Sequence, residues 1–220
     1  LIGKVRSAGN AAMYCEYAEK YGDGVQIYGV PVKSREIFGV LHLKGFVIDD
    51  TVIYSGASLN DVYLARHGRY RLDRYHFIHS APLADCLSEF MLQQLRTHAG
   101  VNLLQSPARP ATQDIQPEIR QLRQQLQEAQ YRVPEQLIAP QAIGVTPILG
   151  FGRSDNLLND TILALLQSTR RQLTILTPYF NLPRQVRSVL RQLLRNGCEI
   201  TLIVGDKTAN DFYIPPDEPF

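Results

Sequence analysis

The sequence predicts an α/β protein whose strands and helices stack in layers, and three observations carry that prediction. Residues 40–48 (Val-Leu-His-Leu-Lys-Gly-Phe-Val-Ile) and 51–54 (Thr-Val-Ile-Tyr) are β-rich runs parted by the turn pair Asp49-Asp50, which reads as a hairpin. Residues 83–98 place Leu83, Cys86, Leu87, Phe90, Met91 and Leu95 at helical spacing. Residues 156–204 run helix, strand, helix, strand, the order of a layered α/β unit. At 220 residues, 45% of them hydrophobic, the chain can bury a substantial core in one large or two small domains.

In chain order, Ala11, Ala12, Tyr14, Cys15, Ala18 and Glu19 suggest a short helix closed by Gly22-Asp23-Gly24, with a strand after it at Val25–Val30. Pro31–Glu36 is a connecting loop whose Lys33 and Arg35 read as solvated cations. The hairpin follows. Asp61–Tyr75 interleaves Arg66, His67, Arg69, Arg71 and Arg74 with Tyr63, Tyr70 and Tyr75, and leads into a strand at Tyr75–His79. His76 and His79 have opposite parity there, so they do not form a metal pair. Residues 100–141 look like a connection: Pro107, Pro110 and Pro117 bound polar sequence, and Ile119, Leu122, Leu126 and Ala129 give one helix a narrow apolar stripe. From Ile143 a second α/β pattern begins, with helices at 156–169 and 183–196 and strands at 172–177 and 199–204. Its loops carry Tyr179, Asn181, Asp206, Lys207, Thr208 and Asn210 at strand ends, where open α/β sheets bind ligands.

The formal net charge of +2 and isoelectric point near 8.5 are too mild to specify a nucleic-acid or membrane partner. Cys15, Cys86 and Cys198 are odd in number, far apart and without metal-ligand spacing, which favours buried thiols in a reducing compartment. No run of about 18 apolar residues is present to span a bilayer. The first residue is Leu, so the chain is expected to be a piece of a longer protein.

The chemistry gathers at the hairpin. Alternation puts His42, Lys44, Phe46 and Ile48 on one strand face, and a two-residue turn sets Ser55 opposite Lys44 and Ala57 opposite His42. A bulge at Gly56 would bring Ser58 and Asn60 to the same face. Asp49 has the wrong parity for that face and reads as holding the turn or an ion pair. An imidazole, an ammonium, a hydroxyl and an amide together can attack phosphorus, offset phosphate charge and hold non-bridging oxygens. The arginines after Asn60 suit phosphates, whether of a pyrophosphate, a lipid headgroup or a nucleic-acid backbone, and equally suit a solvated loop.

His42-x-Lys44-x4-Asp49 followed by Gly56, Ser58 and Asn60 resembles the HxKxxxxD signature of the phospholipase D superfamily, with Gly-Ala-Ser-Leu-Asn one residue longer than the commonest Gly-Ser-x-Asn form. The segments VLHLKGFVIDD, YSGASLNDVYL, LTILTPYFNLP and IVGDKTANDFYIP narrow this. They resemble the phosphatidylserine synthase family of Gram-negative bacteria, the CDP-diacylglycerol–serine O-phosphatidyltransferases, through nearly the whole chain. Arg109–Gln141 is the weakest part of the match.

The resemblance implies a phospholipase D-like α/β sandwich of two similar halves, here truncated at both ends: residues 1–106 for most of the first half, 107–142 as connection and 143–220 as the start of the second. It implies catalytic roles for His42, Lys44 and Asp49, and substrate contacts from Ser58, Asn60, Arg66, Arg69, Tyr179 and Lys207. One histidine forms a covalent phosphatidyl intermediate and the other is acid and base; the superfamily's usual order makes His42 the nucleophile, and the roles are exchangeable. The substrates implied are CDP-diacylglycerol and L-serine, with no cofactor, no metal and no nucleic acid required, at the cytoplasmic face of the inner membrane through peripheral contact with its anionic surface. No second His-x-Lys occurs in residues 100–220, so this piece is expected to be inactive as a monomer. Two rivals stand beside this reading: a dimeric phospholipase D-like phosphodiesterase or nuclease, and a non-catalytic lipid-surface protein that keeps the fold.

Overall fold

The computed structural model describes residues 11–31, 42–68, 70–106, 108, 110–111, 113–133, 140–151 and 156–206. The described residues separate into two compact units, one drawn from Arg6–Leu149 and the other from Gly150–Phe220.

In the first unit, α1 (Ala11–Tyr21) ends in a 3₁₀ turn at Gly22–Gly24, where Gly22 takes a φ of 53°. The strand expected at 25–30 shortens to β1 (Tyr28–Gly29), which pairs antiparallel with β5 (Asn102–Leu103). A side chain explains the shortening. Gln105 accepts from the Ile27 N–H at 2.7 Å and donates to the Val25 carbonyl at 2.6 Å, so an amide side chain satisfies backbone that a ladder would otherwise occupy.

The central sheet is antiparallel, in the order β2 (Phe46–Ile48), β3 (Thr51–Ser55), β4 (Tyr75–His79). Phe46 faces Ile53, Val47 faces Val52 and Ile48 faces Thr51, which is the register of a two-residue turn at Asp49-Asp50. On β4, Ile78 faces Val52 and Phe77 faces Ile53. Val47, Val52 and Ile78 therefore share one face, and α2 (Ala81–Phe90) covers it with Leu83, Ala84 and Leu87. Ser80 joins sheet to helix: its N–H donates to the Asp50 carbonyl at 2.8 Å and its hydroxyl caps α2 by accepting from the Leu83 N–H.

The helix expected over 83–98 is α-helical only to Phe90 and continues as a π-helical segment, Met91–Arg96. Next to it lies α3 (Gln116–Glu128), with Ile119, Leu122 and Leu126 buried. Gln125 donates to Gln94 at 2.9 Å, and the Tyr131 ring meets Phe90 at 4.6 Å.

The second unit has α4 (Leu157–Ser168), β6 (Gln172–Thr177), α5 (Arg184–Arg195) and β7 (Glu199–Val204). Periodicity gives these bounds to within a residue. Asn156 caps α4, its side-chain Oδ1 accepting from the Asn159 N–H at 3.1 Å. β6 and β7 run parallel, Gln172 beside Glu199, joined by the crossover helix α5. Val189, Leu190, Leu193 and Cys198 form the core, packed by Leu163, Leu166, Leu173, Ile175 and Ile200. α5 closes in a Schellman motif: Cys198 N–H reaches the Leu193 carbonyl, Gly197 N–H the Leu194 carbonyl, and Gly197 takes a φ of 81°.

Space is open around a Cβ added at Gly197, so the cost of alanine there is conformational alone. Gly197→Ala is expected to lower stability by about 1–2 kcal/mol in urea titration. Gly24→Ala, with equal space and no positive φ, is expected to change it little.

Candidate active site

Lys44 and His42 stand just ahead of β2, at the edge of the hairpin. The regular alternation expected from His42 to Ile48 stops at Gly45, whose φ of 149° L-residues with side chains rarely adopt. That glycine turns the chain out of the ladder, so β2 begins at Phe46. The two polar residues stay linked, because Lys44 Nζ donates to the His42 carbonyl at 3.3 Å. His42 is exposed, and among the described residues its imidazole has no hydrogen-bond partner. Lys44 is half-buried, and that burial pushes its ammonium below the usual lysine value. An anionic phosphate beside it would oppose the shift.

The β2–β3 register ends at Phe46 and Ile53, so the pairing of Lys44 with Ser55 expected from a continuous strand does not form. Ser55 is buried; its hydroxyl accepts from the Ala57 N–H at 3.0 Å and donates to Asp73 Oδ1 at 3.5 Å. Asp73 Oδ1 also accepts from the Arg74 N–H at 2.7 Å, and its Oδ2 lies 3.9 Å from where a Cβ on Gly56 would stand. This tie between the end of β3 and the approach to β4 has a faint sequence signal: a continuous strand would set Ser55 opposite Lys44, while Asp73 is one acid among arginines.

The other expected site residues lie as follows. Asp49 is exposed in the turn, with a φ of 49°. Ser58 is half-buried, and its carbonyl accepts from the Asn60 N–H at 3.1 Å. Asn60 caps the turn that follows: its side-chain oxygen accepts from the Tyr63 N–H at 3.2 Å and its carbonyl from the Leu64 N–H. That leaves the Asn60 amide N–H groups as donors for a ligand. Arg66 is exposed, its N–H donating to the Asp61 carbonyl. Tyr179 belongs to the second unit, just after β6, where its carbonyl accepts from the Thr177 hydroxyl at 3.2 Å. Arg69 and Lys207 lie outside the described residues, as do Lys33, Arg35, Thr208 and Asn210. His42 and Lys44 are thus linked by one hydrogen bond, Ser55 is tied to Ala57 and Asp73, and Asn60 caps the turn that follows.

A polar groove of about 600 Å³ lined by Gln94, Gln121, Gln125 and Tyr131 includes no motif residue. Among the described residues no group of three His, Cys, Asp or Glu side chains could hold a metal ion.

Over all of its 220 residues the chain is 50% identical to the CDP-diacylglycerol–serine O-phosphatidyltransferase of Escherichia coli strain K12, and it covers 48% of that protein. It is a relative of the phosphatidylserine synthases. The Haemophilus influenzae enzyme of the same name is 45% identical over 224 aligned residues, and the chain covers 49% of that protein. The crystal structure of phosphatidylserine synthase from Haemophilus influenzae Rd KW20 superposes with a TM-score of 0.87, at 45% identity, covering 97% of this chain and 48% of that one. The fold is α/β and phospholipase D-like. The mitochondrial CDP-diacylglycerol–glycerol-3-phosphate 3-phosphatidyltransferase of Gallus gallus is 36% identical over 63 residues, 28% of this chain. No protein-family profile matches the chain. The chain spans about half the length of the curated phosphatidylserine synthases it matches.

Partial burial makes Lys44 titrate early. Isotope-detected NMR is expected to place its ammonium below the ordinary lysine value. Its folded pKa is below its unfolded one, so the unfolded chain binds more protons between the two. The cost of burying the charge is present in full below the folded value and is relieved as pH rises through that window. Lys44→Met is expected to remove this contribution to the pH dependence of stability.

Proposed function

We propose that this chain supplies one histidine and one lysine to the active site of a phosphatidyltransferase that makes phosphatidylserine and CMP from CDP-diacylglycerol and L-serine. The observation that carries the proposal is its identity, end to end, with two proteins of that name, at 50% and 45%, with His42 exposed beside Lys44.

The neutral His42 imidazole attacks the β-phosphorus of CDP-diacylglycerol, a nitrogen–phosphorus bond forms, and the phosphorus–oxygen bond to CMP breaks. A second acid protonates departing CMP; the same group, then a base, takes the proton of the serine hydroxyl as that oxygen attacks phosphorus and frees His42. Two in-line displacements retain configuration at phosphorus. Lys44 offsets charge on the non-bridging oxygens, and the Ser58 hydroxyl and Asn60 amide donate to them. Arg66 and Arg69 take the pyrophosphate and Asp49 holds the hairpin turn, with Tyr179 and Lys207 as further candidate substrate contacts.

The second histidine comes from the rest of the whole protein, since no second His-x-Lys stands in residues 100–220 and the relatives are about twice as long. In this reading residues 1–106 belong to the first half, 107–142 connect, and 143–220 open the second half. The lipid is met at an anionic membrane surface by peripheral contact; no helix among the described residues is long and apolar enough to cross a membrane.

The test is CMP release from CDP-diacylglycerol by the whole protein, with and without L-serine. Release is expected to require serine and to fall at least about 10³-fold in His42→Ala. Undiminished release in that variant, or cleavage of nucleic acid with no CMP formed, contradicts the proposal.

A further inference from the structure

Strand β3 ends at Ser55, and the next five residues are Gly56-Ala57-Ser58-Leu59-Asn60. Ser55 is only 6% exposed, and among the described residues it is the one polar side chain that is buried. Buried polar groups in folded proteins make hydrogen bonds. Here the bonds go to the chain on either side of the site. Ser55 Oγ accepts from the Ala57 N–H at 3.0 Å and donates to Asp73 Oδ1 at 3.5 Å. Asp73 is fixed in turn, its Oδ1 accepting from the Arg74 N–H at 2.7 Å.

A hydroxyl has one proton to give and two lone pairs. With the proton turned to Asp73, a lone pair is left for the Ala57 N–H. A serine oxygen bonded to the N–H two residues on sets the direction of the chain between them. Ala57 is 1% exposed, so water does not readily replace that bond. At the far end of the segment Asn60 Oδ1 accepts from the Tyr63 N–H at 3.2 Å. Side-chain oxygens thus tie the segment at both ends. Between them stands Ser58, whose carbonyl accepts from the Asn60 N–H at 3.1 Å. The tied segment carries both neutral donors assigned above to phosphate, the Ser58 hydroxyl and the Asn60 amide.

We propose that Ser55 is a positioning residue: its buried hydroxyl holds the turn at Gly56 and Ala57, and through that turn sets the Ser58 hydroxyl and the Asn60 amide for the non-bridging phosphate oxygens. Ser55 itself touches no substrate. It fixes in advance two donors that would otherwise have to be ordered as charge develops on the phosphate. The proposal rests on the phosphatidyltransferase reading above and adds one residue to that site.

The test is steady-state, serine-dependent CMP release by the whole protein, beside amide hydrogen exchange at Ala57. Ser55→Ala is expected to lower kcat at least about 10-fold while the KM for CDP-diacylglycerol moves less than about 3-fold, because the donors act on charge formed in the transition state. Ser55→Cys fills the buried volume with a weaker acceptor and is expected to lower kcat as well, which separates the lost bond from a packing defect. Ser55→Thr keeps the hydroxyl and is expected to recover most of the loss. Coupling separates positioning from general support of the fold. With Ser58→Ala and Asn60→Ala already present, adding Ser55→Ala is expected to cost less than about 3-fold more. Ala57 exchange is expected to quicken in Ser55→Ala and Ser55→Cys and to stay slow in Ser55→Thr. An unchanged kcat in both Ser55→Ala and Ser55→Cys, a full further loss on the doubly substituted background, or slow Ala57 exchange without the hydroxyl overturns the proposal. No CMP from wild type, with Ala57 exchange still dependent on the hydroxyl, removes the synthase reading and leaves the tether standing.

Discussion

The register fixed by the two-residue Asp49-Asp50 turn is the constraint on which the first unit depends. It places Val52 between Val47 and Ile78, so that one face of the three-stranded sheet is apolar and α2 can cover it. A slip of one residue would turn Val52 outward and carry the β-face logic of the whole hairpin with it. The same register pairs Phe46 with Ile53, so the ladder begins directly after the segment that carries His42 and Lys44. Asp50 adds to this by receiving the Ser80 N–H, which sets the start of α2 against the turn.

Burial and charge pull against each other at Lys44. A half-buried ammonium exerts a stronger field on a neighbouring phosphate than a solvated one, because less water screens it. Desolvation also lowers its pKa, so the free site holds its charge less firmly than a surface lysine would. A bound phosphate resolves the conflict by stabilising the protonated form. His42, by contrast, is exposed.

Much of this architecture is legible in the sequence where local periodicity decides it. The bounds of α4, β6, α5 and β7, the buried stripe of α3 and the Asp49-Asp50 turn all follow from patterns a few residues long. What the sequence hides is long-range or side-chain specific. The β1–β5 pairing joins residues about 75 apart, and Gln105 replaces part of a strand with its own amide. Gly45 ends an apparently continuous β-run through one backbone angle. The π-helical widening after Phe90 and the Ser55–Asp73 bond leave no periodic trace. At the site, spacing suggests one strand face for His42 and Lys44, whereas both stand ahead of β2 and Lys44 bonds the His42 backbone.

The central claim is covalent chemistry at His42, and trapping the intermediate tests it most directly. The whole protein is incubated with CDP-diacylglycerol in the absence of serine, quenched in alkali and digested for mass spectrometry. The account predicts an acid-labile phosphatidyl adduct on the peptide containing His42, lost when serine is added before the quench. Turnover with no adduct on that peptide, or an adduct that survives added serine, would contradict it.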